Sequence, residues 1–302
     1  TTRAVIAGDT SDELERIAEW CRARVENQPD ARLLVLLPGS AEGRERLVAL
    51  IRQSIDPAGT ATGDLLAPGR ADIAAIEGGA PLSRPPLAAH PLDSLAWLAG
   101  TGEFEDVSGW LSAPYWLVPD AQRARIDLWL RERAGLELDP RALLSMLATV
   151  PDSLVPAAKA LATHVHEALQ KLGAGTASPR QWSERFRDAL VALGWPGARV
   201  LNSDAEQTRA KFMELLDDFG QLAAAVPSIS RQDAIAWLRE LASRTSFRPA
   251  SGDPLVTVSP MLTDPVVRYD GIWVAGLHAD AWPQPVQPDP FLPLAAQIAA
   301  GV

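Results

Sequence analysis

The chain of 302 residues contains a single cysteine, Cys21, so no internal disulfide can form, and a reducing, cytoplasmic setting is the simplest expectation. Lysine is almost as scarce, present only at Lys159, Lys171 and Lys211. None of the three follows a glycine, which excludes the Gly-Lys-Ser/Thr loop that cradles nucleotide phosphates. A nuclease site of the PD-(D/E)xK type needs an acid two residues before a lysine. Ala157, Leu169 and Arg209 stand there instead, although Pro-Asp pairs occur at 119–120, 151–152 and 288–289. No Gly-x-Ser-x-Gly nucleophile elbow is present. No apolar run reaches the roughly 18–20 residues that span a bilayer, and the N-terminus lacks a signal-peptide core. A membrane role is therefore not expected.

Cationic excess is also missing. The formal charge is −10, which argues against a self-sufficient nucleic-acid clamp, because backbone binding depends on Lys and Arg neutralising phosphates. What cation there is comes from 25 arginines, a bias that fits high-GC coding first and guanidinium recognition of phosphate second. Arg123, Arg125, Arg131 and Arg133, then Arg180, Arg185 and Arg187, are expected on exposed helix faces. The acids interleaved with them point to solvated surfaces ahead of a phosphate track.

The histidines offer little. His164 and His166, two apart on a helix, do not share a face. Gln170 stands where a zincin-like pattern begun by His166-Glu167 needs its second histidine, so no metal site is expected. His278, just beyond the last strand and close to Asp280, is placed for a general base at a strand's carboxyl edge, with an ordinary loop residue the plainer reading. Cys21 shares the apolar side of its helix with Ile17 and Val25 and reads as a buried structural thiol. Trp20, Trp97, Trp110, Trp129, Trp182 and Trp237 fall mostly at helical apolar positions. Core packing is their default, and base stacking the sharper alternative.

Apolar patterning organises the chain. Arg3–Ala7 is a strand candidate. Thr10 with Glu13 fits a capping box, ahead of a helix with Leu14, Ile17, Ala18, Cys21 and Val25 at three-to-four spacing. Arg32–Leu37 is a continuous apolar run ended by Pro38-Gly39, as a buried parallel strand should be, and Leu47, Val48, Leu50 and Ile51 mark the next helix. This β-α-β-α order is a doubly wound beginning. Residues 56–91 are rich in Gly, Pro and Ala, with one strand expected near Asp72–Ile76. Helices are predicted near 92–99, 105–112, 120–134, 140–148, 152–172, 179–193, 204–226 and 231–243. Ser178-Pro179, Asp139-Pro140, Ser203-Asp204 and Ser230 supply their starts. Strands return at Leu255–Ser259 and Gly271–Ala275. Such an order predicts an α/β fold whose single sheet is interrupted by a large helical insertion.

Three blocks, in order, carry a family resemblance. "SDELERIAEWCRARVENQPDARLLVLLPGSAEGRERLVALI" resembles the start of the second RecA-like domain of UvrD-type superfamily 1 helicases. "AHPLDSLAWLAGTGEFEDVSGWLSAPYW", residues 89–116, resembles a pattern in the helical insertion of AddB/RecC-like helicase-nuclease proteins. "VVRYDGIWVAGLHADAWPQPVQPDPFLP", residues 266–293, resembles the return to the RecA-like domain. The resemblance implies a RecA-like (P-loop NTPase-like) parallel-sheet domain over 1–66 and 251–302, with a helical inserted domain over 67–250. It is closest to predicted DNA-repair proteins that pair an AddB-like region with a C-terminal nuclease domain.

Departures from the family pattern shape the functional expectation. Aligned on Tyr269-Asp270, the chain places Pro260, Leu262, Pro265, Val266 and Arg268 where active helicases carry Thr, His, Lys, Gly and Glu. The resemblance thus implies a non-catalytic, inactivated helicase-like region of a DNA-repair helicase/exonuclease, the middle of a longer protein. It would position DNA for a nuclease outside the chain, with DNA bound through the parent protein and a helicase-nuclease subunit as a possible partner. No residue is assigned a catalytic, cofactor-binding or metal role, no cofactor is expected, and no DNA-contacting residue is identified. The rival readings are a protein-interaction scaffold and a small-molecule α/β enzyme with a site near His278.

Overall fold

The computed structural model describes residues 2–58, 73–100, 102–250, 253–260, 268–278 and 292–299. The chain divides into two compact units, Thr1–Glu77 with Gly252–Val302, and Gly78–Ser251.

The first unit is α/β. Helix α1 (Thr10–Asn27), strand β1 (Leu33–Leu36), helix α2 (Ala41–Ile55) and strand β2 (Ala74–Ile76) come from its N-terminal part. Strands β7 (Val256–Ser259) and β8 (Gly271–Val274) and helix α11 (Leu294–Ala299) come from its C-terminal part. The four strands form one parallel sheet in the order β2-β7-β1-β8. Strand β1 is central: Leu33 lies opposite Val256 on one side and Gly271 on the other. Its four residues are all buried, which explains why it reads as an unbroken apolar run and not an alternating one. Leu33 and Val35 join Ile17, Cys21, Leu47 and Ile51 from α1 and α2 in one core. Asp270 fixes the register, since its amide donates to Arg32 O at 2.8 Å and its carboxylate accepts from Arg32 N at 2.9 Å. Because β2 belongs to this sheet, the first unit reaches Glu77, past the expected limit at residue 66.

Two local expectations are corrected. Arg3–Ala7 forms no strand. Val5 is 50% and Ile6 91% exposed, so no burial offsets the entropy of ordering the segment. The cap of α1 is Asp9, whose carboxylate accepts from Asp12 N at 2.8 Å, which makes Thr10 the first helical residue and frees Glu13 for another role.

The second unit is helical: α3 (Pro86–Ala99), α4 (Phe104–Ser112), α5 (Asp120–Arg131), α6 (Pro140–Leu147), α7 (Val155–Leu172), α8 (Pro179–Leu193), α9 (Ser203–Gln221) and α10 (Arg231–Arg244). Two short antiparallel ribbons accompany them. Strand β3 (Ala80–Pro81) pairs with β6 (Ser246–Phe247), closing the unit where the chain enters and leaves, and β4 (Thr176–Ala177) pairs with β5 (Ile229–Ser230). Ser178, Asp139 and Ser230 cap α8, α6 and α10 as expected, and Ser178 with Gln181 completes a capping box. Helix α9 is capped by Asn202, one residue earlier than expected.

Five tryptophans lie in this unit's core: Trp97, Trp110, Trp116, Trp182 and Trp195. Each indole N–H donates to an acceptor, namely Leu138 O, Ser94 Oγ, Trp110 O, Ile229 O and Leu87 O respectively. A buried indole needs such a partner. The last is instructive. Pro91 lies inside α3 and has no N–H, so the carbonyl four residues before it, Leu87 O, loses its helical donor. The Trp195 indole supplies one at 3.1 Å.

Candidate functional site

In a parallel sheet all strands end at one edge, and ligands in open α/β folds bind there. Here β1 runs into Pro38-Gly39-Ser40 and β8 into Ala275–His278. Gly39 and Gly276 have φ of +105° and +70°, the left-handed region that favours glycine. Ser40 caps α2, accepting from Gly43 N at 3.1 Å. The two turns approach each other, since a Cβ on Gly276 would lie 3.8 Å from Pro38 Cγ.

The charged groups at this corner are committed to the backbone. Glu13 Oε1 accepts from Gly276 N at 3.0 Å, holding the start of α1 against the exit of β8. Arg44 Nη1 donates to Gly39 O at 2.7 Å, bracing the β1–α2 turn. His278 is exposed, and its amide donates to Gly276 O at 3.0 Å. Asp280, its expected companion, lies outside the described residues. Among those described, the edge is a self-braced corner in which no carboxylate joins His278 to make an acid–base pair. Of the positions that depart from the helicase pattern, Pro260 ends one described segment and Arg268 begins another, while Leu262, Pro265 and Val266 lie outside them.

The other titratable groups separate into core and surface. Burial pushes the Cys21 thiol up to about 12, which makes it inert as a nucleophile at neutral pH. His164 Nδ1 lies 2.8 Å from Ala192 O on α8, while His166 is exposed with Nε2 2.8 Å from Gln170 Nε2. The two histidines thus diverge. Among the described residues no three His, Cys, Asp or Glu side chains come together as a metal set. Trp129 is half-buried and Trp237 is 39% exposed, and the Arg133 guanidinium lies 5.0 Å from the Trp129 ring.

Arg123 is a correction. It was expected on a solvated face, yet it is 1% exposed. Nε donates to Val118 O at 2.8 Å, Nη1 to Leu111 O and Nη2 to Asp120 Oδ1 at 2.5 Å. The guanidinium thereby stitches the segment between α4 and α5 onto the core. Its place is legible in hindsight, because Arg123 lies three and seven residues before Ile126 and Leu130 on the apolar stripe of α5.

Beside it is a group the sequence reading passed over. His90 packs its ring 5.4 Å from Tyr115 and 5.2 Å from Trp116, with Nε2 buried and without a hydrogen-bond partner. Burial, aided by the Arg123 charge and opposed by the Trp110 carbonyl, lowers its pKa from 6.5 to about 4. The folded state therefore holds His90 neutral while the unfolded chain protonates near 6.5. Stability from this group is complete above pH 6.5, falls as pH drops toward 4, and levels off below. Unfolding free energies from denaturant titrations at pH 7.5 and pH 4.5 are expected to differ by a His90 contribution on the order of 3 kcal/mol. His90→Phe is expected to remove that part of the slope.

The chain matches no protein-family model, and no curated protein matches it.

Proposed function

We propose that this chain is the helicase-derived, non-catalytic region of an AddB/RecC-like DNA-repair protein, which positions DNA for a nuclease domain elsewhere in its parent. One observation carries the reading. Strands β1 and β8 are neighbours in a single parallel sheet, and the whole helical unit lies between β2 and β7 in the chain. That is the arrangement a RecA-like domain with an inserted helical domain would have, in the order of the three resembling blocks. The bracing of Glu13 and Arg44 at the carboxyl edge fits a domain that no longer turns over nucleotide.

Of the two units, the helical one repels DNA less and is the one we assign to meet it. Residues 78–251 carry 18 cations and 20 acids, a net of −2, whereas the remainder carries 10 and 18, a net of −8. The purified chain is expected to bind single-stranded and forked DNA with affinity that falls as salt rises, and to hydrolyse no ATP above background. Fluorescence anisotropy and a phosphate-release assay test the two halves. DNA-stimulated ATP turnover would overturn the inactive reading, and absence of binding at low salt would overturn the DNA reading.

A protein-interaction scaffold is the second reading. Leu128 and Leu136 are 63% and 90% exposed and fit apolar docking. It requires partner binding that persists at high salt, where DNA binding does not.

A further inference from the structure

We infer that the turn joining α7 to α8, Gly173–Ser178, together with Lys171, Arg180, Arg185 and Arg231, is a corner that binds the phosphodiester backbone of nucleic acid. The inference rests on the DNA-positioning reading above and assigns it a place.

The corner is built by two guanidinium groups that converge on a glycine turn. Arg231 Nη1 donates to Gly173 O at 2.9 Å and Nη2 to Ala99 O at 2.8 Å, so one cation caps the carboxyl ends of both α7 and α3. Its own amide faces Gly175 O at 3.3 Å. Arg185 lies over the Trp182 ring at 4.8 Å, and its Nη1 would be 3.8 Å from a Cβ on Gly173. That Nη1 is buried with no hydrogen-bond partner, so the ring and the turn hold this guanidinium rather than an acid. Gly173 and Gly175 have φ of +65° and +86°, and a Cβ on Gly175 would meet nothing within 4 Å, so the turn is open on its outer side. Lys171, Ala174, Gly175, Thr176 and Arg180 are exposed there.

Four cations without ion pairs gather at this end, whereas elsewhere in the unit Arg125, Arg141 and Lys159, which also form none among the described residues, are spread over separate helices. Nine cations elsewhere in the unit form ion pairs, as Arg187 does with Asp217 and Arg239 with Asp93. Lys171, Arg180, Arg185 and Arg231 form none among the described residues. Asp233, the acid next to Arg231, is occupied as its carboxylate accepts from the Ser230 hydroxyl at 2.7 Å. Glu184, one turn along α8 from Arg180, Glu167, one turn before Lys171 on α7, and Asp188, three residues after Arg185, are the acids that oppose the corner. Exposed cations along one turn suit a spaced row of phosphates better than a single carboxylate, because each Lys or Arg displaces one condensed counterion. The two guanidinium groups already anchored supply fixed field, and the two exposed side chains supply contact.

The test uses the whole chain with fluorescent single-stranded and duplex oligonucleotides. The double variant Lys171→Glu/Arg180→Glu is expected to fold normally, as both side chains are exposed, and to bind about tenfold or more weakly at fixed low salt. Its log–log salt slope is expected to be shallower by about 1.4 on single strands and about 1.8 on duplex, and the oligonucleotide that loses more affinity in the variant is the one the corner serves. Glu184→Gln should tighten binding. Arg244→Glu, on a cation already paired with Glu240 at 2.6 Å, is the control and should leave Kd within about twofold. If the chain binds DNA and the double variant binds as tightly with an unchanged slope, the corner is wrong and the DNA reading stands. If the unaltered chain binds neither oligonucleotide, both fall.

Discussion

Arg123→Met is expected to destabilise the helical unit by roughly 3–5 kcal/mol, the range for removing one partner from a buried charged network. The volume is nearly kept, so the loss is not chiefly a cavity. Leu111 O and Val118 O are the groups left behind, buried and without the donors that Arg123 supplies. Each orphaned carbonyl costs about 1–3 kcal/mol. Asp120 is the lesser partner, because it is half-exposed and also meets Arg199 at 2.6 Å, so Asp120→Asn is expected to cost no more than about 1 kcal/mol. Arg123→Lys keeps the charge but not the three-way fork, and should fall between the two. Urea titration followed by tryptophan fluorescence reads all three, since Trp110 and Trp116 lie in the same core. A midpoint for Arg123→Met close to that of the unaltered chain would mean that water reaches the two carbonyls and that the buried fork contributes little.

The second large effect is expected at Trp182, which is fully buried. Trp182→Ala removes a side chain stacked on Phe186 at a centroid distance of 5.9 Å and leaves Ile229 O without its donor at 3.0 Å. Truncation of a buried aromatic costs about 3–5 kcal/mol, and the orphaned carbonyl places this one toward the upper end. Trp182→Phe separates the parts. It keeps most of the packing and loses the indole N–H, so a cost of about 1–3 kcal/mol isolates the hydrogen bond to β5. Both variants also remove or shrink the ring beneath Arg185. DNA affinity measured well below the unfolding transition is therefore expected to weaken more in Trp182→Ala than in Trp182→Phe. A Trp182→Phe variant as stable as the unaltered chain would show that Ile229 O finds another donor.

Much of the fold was legible in the residues because the forces involved are local. Helix starts follow from side chains that reach their own backbone, as Ser178, Asp139 and Ser230 do. Strand β1 was legible because a parallel strand buried on both faces has no polar alternation to hide it. Where the reading failed, the deciding partner is distant in sequence. Arg3–Ala7 has the composition of a strand, but a strand also needs a neighbour, and no local pattern shows whether one exists. Arg123 differs from Arg125 in lying on the apolar stripe of α5, but the acceptors that turn that place into a buried fork come from the packing of residues 111–120. His90 was overlooked for the same reason, since Tyr115 and Trp116 reach it from beyond α4. The candidate site was least legible. The braces at the carboxyl edge, Glu13 to Gly276 and Arg44 to Gly39, spend charged residues on backbone groups, a use that composition and spacing do not reveal.

The indole that answers Pro91 has a consequence for how this chain can change. With proline at 91, position 195 must carry a donor long enough to reach Leu87 O. With any other residue at 91, the helix supplies that donor itself and position 195 is released. The two sites are thus epistatic through Leu87 O. A substitution at 195 is a lesion in one background and close to silent in the other, so the order in which the two are replaced decides whether the path between them stays folded.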